Sequence, residues 1–128
     1  MKNELEEYIK SYFGVVEAGE LEIISSFFKL EKIKKGEFFL KEGQLSNALS
    51  FVQDGLMRVY VDEEDREVTQ WISSKGYFIT DLSSFIFRDV SRWNIQALVD
   101  SEIYSIAVED YQKLGEVIPK WHVLEKLF

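Results

Sequence analysis

The chain contains no cysteine, and this absence excludes several kinds of structure and chemistry. Disulfide bridges, zinc fingers, iron–sulfur clusters and thiol catalysis all depend on cysteine. The single histidine, His122, cannot by itself build the usual transition-metal site, so no metal is expected. A chain without cysteine also fits a reducing compartment, and the predicted location is the cytoplasm.

Long apolar runs and catalytic signatures are lacking as well. No uninterrupted apolar run approaches the roughly 18 to 20 residues that span a bilayer, and the first ten residues are acidic, unlike a secretory signal. There is no Gly-rich phosphate loop followed by lysine and no Gly-x-Ser-x-Gly elbow. No spacing selects a pair of carboxylates for acid–base catalysis. We therefore predict that the chain does not insert into a membrane and is not an enzyme.

Basic residues are in the minority, since 15 Lys and Arg stand against 23 Asp and Glu for a formal net charge of -8. A domain with this balance repels a phosphate backbone, so the chain is predicted not to bind nucleic acid by itself. Its longest basic cluster, residues 29–35, is interrupted by Glu31 and is interpreted as a solvated turn at the entrance to a strand. With 128 residues the chain has the length of one domain.

The hydrophobic pattern predicts two helices followed by a series of strands. Apolar residues recur at helical spacing in residues 5–13 and 21–28, which are joined around Gly14 and Gly19. An acidic turn at residues 62–65 then joins two strands as a hairpin, which makes the pairing antiparallel and favours a sandwich or barrel. The predicted strands are residues 38–40, 48–52, 56–61, 68–72, 93–98 and 102–107.

A short helix is predicted to interrupt the strand series. Residues 77–85 do not alternate in hydrophobicity, and Thr80 or Asp81 is placed to cap the start of a helix. Arg88 and Arg92 follow within a few residues. A helix N-terminus beside a guanidinium suits an anion, so the residues admit two readings, a phosphate site or a plain cap with solvated arginines.

Helical periodicity returns in residues 108–128, with a break around residues 115–119. Trp121, Leu124 and Phe128 lie at i, i+3 and i+7, which places a large apolar stripe on one side of the last helix. Such a stripe either packs on its own domain or pairs with a second copy.

Several short motifs follow one another in a specific order. After the two N-terminal helices come Lys35-Gly36-Glu37, Glu42-Gly43, and the segments 55–60, 76–82 and 95–101. Together they resemble the cyclic nucleotide-binding domain of Crp/Fnr transcription regulators, over nearly the whole chain. The resemblance implies a mainly β fold with flanking helices, a double-stranded β-helix or jelly roll over about residues 29–107. Residues 1–128 then form one sensor domain, with C-terminal helices over 108–128.

The resemblance also implies where a ligand site lies. Nucleotide-binding members carry a small residue and a glutamate at the start of the short helix, and an arginine followed by Ser or Thr before the next strand. That glutamate holds the ribose hydroxyl, and the arginine clamps the cyclic phosphate. Here Asp81 stands at the glutamate position and Ser91 where the arginine should be. Arg92 is one residue late, and in an extended segment it would point away from the pocket unless the loop before it absorbs the shift. The candidate cassette is Thr80, Asp81, Leu82, Ser83, Ser91 and Arg92.

The implied function is the effector-sensing and dimerisation domain of a bacterial transcription regulator with a degraded cyclic-nucleotide pocket. A small-molecule effector is a candidate partner, cyclic nucleotide is a doubted ligand, and no cofactor is expected. Family members continue into a long dimerisation helix and a winged helix-turn-helix, so DNA would be contacted only through a domain absent from this chain. The dimerisation helix begins at the stripe of Trp121, Leu124 and Phe128, which predicts a weak homodimer.

Two alternatives stay open at this point. One is a functional cyclic-nucleotide receptor in which Arg92 or Arg88 replaces the missing clamp. The other is a jelly roll that binds no small molecule and contacts only other proteins.

Overall fold

The computed structural model describes residues 3–13 and 17–117. Within these ranges the chain forms a mainly β fold with flanking helices, as predicted. The helices are α1 (Asn3–Phe13), α2 (Ala18–Ser26), α3 (Leu82–Phe87) and α4 (Val108–Val117). The strands are β1 (Lys29–Ile33), β2 (Phe38–Leu40), β3 (Ala48–Asp54), β4 (Met57–Glu63), β5 (Arg66–Ser73), β6 (Phe78–Ile79), β7 (Asn94–Ala97) and β8 (Ser101–Ala107).

The strands build two four-stranded antiparallel sheets that face each other. One sheet has the order β1-β8-β3-β6 and the other β2-β7-β4-β5. Inward-facing side chains of both sheets form a buried core, because alternate residues of a strand point to the same face. This core comprises Ile33, Leu40, Val52, Met57, Val59, Ile79, Ile95, Ala97 and Ile103.

The helices close one side of the first sheet and form a second core with it. Leu5 and Ile9 of α1 are fully buried, and α2 adds Leu21 and Ile24 one turn apart, as the predicted stripes require. The start of α2 is capped, since the Glu20 carboxylate accepts the backbone N–H of residue 17 at 3.3 Å. Gly19, predicted to join the two helices, lies inside α2 instead.

Strand β1 corrects the prediction of a solvated turn over residues 29–35. It pairs with β8 in a register that runs from Lys29 opposite Ser105 to Ile33 opposite Ser101. Four of its five residues are exposed, since β1 is the edge of its sheet. An edge strand rich in lysine and glutamate shows no hydrophobic alternation, which is why its sequence did not predict a strand.

The turn of the β4–β5 hairpin and the start of α3 lie where the sequence predicted them. Glu63 pairs with Arg66 across the predicted acidic turn, and Glu64 adopts a φ of 55° there. Asp81 is the N-cap of α3, since its Oδ1 accepts the backbone N–H of Ser84 at 3.3 Å. The predicted start at Thr80 or Asp81 is confirmed, and residues 78–79 before it pair with β3 as strand β6.

Helix α4 starts directly where β8 ends, and Tyr111 and Leu114 bury its inner face. It continues through Gly115, where a break was predicted, to Val117. The predicted dimer stripe of Trp121, Leu124 and Phe128 lies outside the described residues. Within them, no helix is both long enough and apolar enough to cross a membrane.

Candidate functional site

A cavity of about 780 Å³ opens between the start of α3, the loop that follows α3, and strand β5. This volume lies within the range of small-molecule sites in proteins. Five of the six predicted cassette residues line it, and Ser91 is the exception. The described residues along its walls are Trp71, Phe78, Thr80, Asp81, Leu82, Ser83, Asp89, Val90, Arg92 and Trp93.

Asp81 and Ser91, the two predicted family positions, are bonded to each other. The Ser91 hydroxyl donates to Oδ2 of Asp81 at 2.8 Å, while Oδ1 of the same carboxylate caps α3. Each carboxylate oxygen therefore already accepts a hydrogen bond from the protein. A ligand hydroxyl would have to compete with these bonds or share an oxygen with them.

Ser91 does not face the cavity, since it is 1% exposed and is absent from the described lining. Its backbone is held from both sides: the Gly43 N–H donates to its carbonyl, and its own N–H donates to the carbonyl of Gln44, both at 2.8 Å. Its hydroxyl also accepts the backbone N–H of Trp93 at 3.0 Å, which folds the chain into a local turn.

Arg92 lines the cavity, so the expectation for an extended segment does not apply, and the loop before Arg92 absorbs the shift. That expectation assumed an extended strand at this point, whereas β7 begins only at Asn94. The turn at Ser91 absorbs the one-residue shift and brings Arg92 to the cavity side. Within the described part of the chain, the Arg92 guanidinium has neither a hydrogen bond nor an ion pair.

Thr80 touches the cavity, but its hydroxyl is used inside the protein. Thr80 is 3% exposed, and its Oγ1 donates to the carbonyl of Ala48 at 3.0 Å and lies 2.9 Å from the Ser46 hydroxyl. The Ser46 N–H in turn donates to the Ser84 hydroxyl at 2.7 Å. This buried network fastens α3 to the segment before β3 and offers no free hydroxyl to a ligand.

Arg88, one of the two alternative clamps, makes hydrogen bonds that stabilise the fold. It ends α3 in the left-handed conformation with φ 60°, and one guanidinium nitrogen donates to the carbonyl of Ser46 at 2.7 Å. The other nitrogen donates to Oδ1 of Asn47 at 2.9 Å. The Arg88 guanidinium is thus hydrogen-bonded within the protein, and Arg88 is absent from the described lining of the cavity.

The aromatic wall of the cavity was not predicted from the sequence. Trp71 of β5 and Trp93 before β7 meet edge to face, with ring centroids 4.8 Å apart and planes at 89°. The Trp71 indole N–H donates to the Ser73 hydroxyl at 3.2 Å, which fixes the ring. Trp71 pairs with Val59 and Ser73 pairs with Met57, so Trp71 lies on the face of the sheet that Met57 and Val59 also use. The local sequence carries no signal for this placement.

The charges around the cavity are mixed. Two carboxylates, Asp81 and Asp89, and one guanidinium, that of Arg92, are found among the described lining residues. Asp89 accepts a hydrogen bond from the Ser83 hydroxyl at 3.3 Å. No group of three or more carboxylate, imidazole or thiol side chains gathers around a metal position in the residues that the structure describes. The described lining thus carries one net negative charge.

Comparisons with known proteins give a consistent result. The family model for the cyclic nucleotide-binding domain matches residues 30–116. No curated protein matches the sequence. Among solved structures, a cyclic nucleotide-binding domain from Methylobacillus flagellatus superposes with a TM-score of 0.84 at 17% identity, covering 97% of this chain and 71% of that one.

Two transcription regulators share the fold. The catabolite activator protein of Thermus thermophilus gives a TM-score of 0.78 at 21% identity over 88% of this chain, which spans 53% of the activator. The sensor domain of the regulator DNR from Pseudomonas aeruginosa gives 0.73 at 15% identity, covering 96% of this chain and 85% of that domain. This chain therefore spans about half the length of the activator that it resembles.

Proposed function

Because the chain belongs to the cyclic nucleotide-binding domain family, we propose that it is the effector-sensing domain of a Crp/Fnr-like bacterial transcription regulator whose pocket has lost its affinity for cyclic nucleotides. The observation that carries this proposal is the hydrogen bond between Ser91 and Asp81. It joins the two positions that nucleotide-binding relatives use for the cyclic phosphate and the ribose. The Ser91 hydroxyl is buried and donates to the protein, and both oxygens of Asp81 already accept a hydrogen bond from it.

The electrostatics of the site support the same conclusion. A cyclic phosphate would meet Ser91 where nucleotide-binding relatives carry the clamping arginine, and its ribose would meet a carboxylate, that of Asp81, whose two oxygens already accept hydrogen bonds. A buried serine hydroxyl cannot replace the fork-shaped, permanently charged clamp of an arginine. Losing one charge-assisted contact costs about 1.5 to 3 kcal/mol, which is roughly tenfold to a hundredfold in affinity.

Calorimetry with cyclic AMP tests the loss of nucleotide binding. The unaltered chain is expected to show weak binding or none at ordinary ionic strength. A dissociation constant in the micromolar range or below would contradict the proposal. The matched variants are Arg92→Ala and Arg88→Ala, since both remove one arginine near α3 but only Arg92 lines the cavity.

A second candidate function is a working cyclic-nucleotide receptor with Arg92 as its clamp. One observation favours it: Arg92 lines the cavity and, among the described residues, has no partner for its guanidinium. In that case Arg92→Ala abolishes the binding of cyclic AMP, whereas Arg88→Ala leaves it unchanged. The same titration therefore separates the two functions.

The regulatory role itself is tested on the coding sequence and on DNA. A helix-turn-helix encoded after Phe128 would support the proposal, whereas an unrelated continuation would contradict it. The 128-residue chain alone, with a net charge of -8, is expected to give no gel shift with DNA even at low salt. The same proposal includes three further properties. The chain forms a homodimer through the stripe of Trp121, Leu124 and Phe128, it is located in the cytoplasm, and it has no enzymatic activity.

A further inference from the structure

The walls of the cavity are apolar and aromatic over much of their area. Trp71, Phe78 and Trp93 contribute rings, and Leu82 and Val90 contribute aliphatic side chains. Trp71 is 41% exposed and Val90 is 63% exposed, so both present apolar surface that a ligand would cover. Such walls suit a flat hydrophobic molecule better than a sugar, because a sugar needs several hydrogen-bonding partners.

The aromatic wall is held in place by contacts within the protein. The Trp71 ring is fixed by the bond from its indole N–H to the Ser73 hydroxyl and by its edge-to-face contact with Trp93. Ser73 is itself 1% exposed, and its hydroxyl lies 3.4 Å from the carbonyl of Phe78, to which it donates. A preformed wall costs a ligand little ordering entropy on binding.

The charged groups of the lining differ in whether they have a partner. The carboxylates of Asp81 and Asp89 accept hydrogen bonds from Ser91 and Ser83, respectively. The guanidinium of Arg92 has no such partner in the part of the chain that the structure describes. The group still open for pairing is thus a cation, and its planar fork matches the two oxygens of a carboxylate.

We propose that this cavity binds a planar aromatic molecule that carries a single carboxylate, with its ring against Trp71 and Trp93 and its carboxylate on Arg92. The inference rests on the proposed function, since it names the effector class of the same sensor pocket. A single negative charge on the ligand is balanced by one guanidinium, and no ribose acceptor is required. The two serine-bonded aspartates keep their internal bonds when the ligand is bound.

The test uses the full 128-residue chain labelled with ¹⁵N and three probes: 2-naphthoate, its uncharged isostere 2-naphthamide, and cyclic AMP. We expect 2-naphthoate to bind with a sub-millimolar dissociation constant, as a ligand of this size can, and to shift the indole N–H signals of Trp71 and Trp93. These signals are assigned with the variants Trp71→Phe and Trp93→Phe. The amide is expected to bind at least about tenfold more weakly, because it loses a charge-assisted bond.

The variant Arg92→Gln is expected to weaken 2-naphthoate binding about tenfold and to leave the binding of 2-naphthamide unchanged. The matched control is Arg66→Gln, which removes an exposed arginine at the remote β4–β5 turn and should alter neither affinity. Equal affinity for acid and amide, or an acid affinity indifferent to Arg92→Gln, would overturn the inference.

The remaining outcomes separate this inference from the proposed function. If neither 2-naphthoate nor cyclic AMP binds up to the solubility limit, the inference fails while the loss of nucleotide binding is supported. If cyclic AMP binds more tightly than 2-naphthoate and depends on Arg92, both fail together, and the receptor function takes their place. Binding of 2-naphthoate without movement of the Trp71 and Trp93 indole signals would place the ligand elsewhere and would also overturn the inference.

Discussion

The hydroxyl of Ser91 donates a hydrogen bond to Oδ2 of Asp81 at 2.8 Å, and this bond ties the loop before β7 to the first turn of α3. Ser91 is 1% exposed, so water does not replace the bond when it is broken. The contact consequently does two things: it stabilises the fold around the cavity, and it sets up a competition between Ser91 and any ligand hydroxyl for the carboxylate of Asp81.

Replacing Ser91 with alanine is expected to destabilise the domain. The variant loses the bond to Asp81 and the acceptor for the N–H of Trp93, which together cost about 1 to 2 kcal/mol of unfolding free energy. Urea denaturation measures the change. The matched control is Ser83→Ala, whose hydroxyl donates to Asp89 at the surface and whose loss should stay within about 0.5 kcal/mol. Equal losses of unfolding free energy in the two variants would show that the Ser91–Asp81 bond stabilises the domain no more than the surface bond of Ser83 does.

Arg88→Ala is expected to loosen the junction between α3 and α4. The guanidinium of Arg88 holds the carbonyl of Ser46 and the side chain of Asn47, and the carbonyl of Asn47 accepts the N–H of Val108, the first residue of α4. We expect a loss of about 1 to 3 kcal/mol in unfolding free energy and faster hydrogen exchange at the Val108 amide.

Two variants control the Arg88 prediction. Arg88→Gly removes the same bonds but relieves the positive φ of 60°, so it should be somewhat less destabilising than Arg88→Ala. Arg66→Ala removes an exposed arginine from the β5 end of the hairpin and should change stability by less than about 0.5 kcal/mol. Unchanged exchange at Val108 in Arg88→Ala would disprove the proposed link between α3 and α4.

Gly55→Ala, just before β4, is expected to lower the unfolding free energy strongly for so small a substitution. Gly55 has a φ of 113°, and an added methyl group would collide with the backbone and side chain of Ser101. Strain and overpacking together predict a loss of about 3 kcal/mol. Gly36→Ala is the control, since Gly36 has a φ of 88° but open space around it, and strain alone predicts about 1 kcal/mol. Thermal unfolding of both variants tests the difference, and equal melting temperatures would refute it.

Leu124→Glu tests the predicted dimer, whose stripe lies outside the described residues. A charge in an apolar seam between subunits is costly, so a dimer that forms at high micromolar concentration should become monomeric. Sedimentation equilibrium over a concentration series gives the association constant. Lys113→Glu, an exposed change in α4 that adds more negative charge, should leave the association unchanged. A strictly monomeric unaltered chain at millimolar concentration, or a dimer indifferent to Leu124→Glu, would contradict the prediction.

Much of the fold follows from local sequence signals. The helical stripes containing Leu5, Ile9 and Leu21 place buried faces on α1 and α2, because the apolar period of 3.6 fixes which side of a helix is buried. The hairpin follows from two alternating segments around an acidic turn, and Asp81 caps α3 because a carboxylate at that position satisfies a free backbone N–H. The order of these motifs also predicted the family, which the family model confirms.

Only the tertiary structure decided which cassette side chains face the cavity. Whether Ser91 or Arg92 reaches the cavity depends on the backbone bonds between Ser91 and residues 43–44, which are distant in the sequence. Likewise, Trp71 becomes part of the site only because the β4–β5 register and its contact with Trp93 turn it inward. Local patterns determine periodicity and caps, since these depend on neighbouring residues. A binding site depends on the direction of side chains brought together by long-range pairing, and no local pattern encodes that direction.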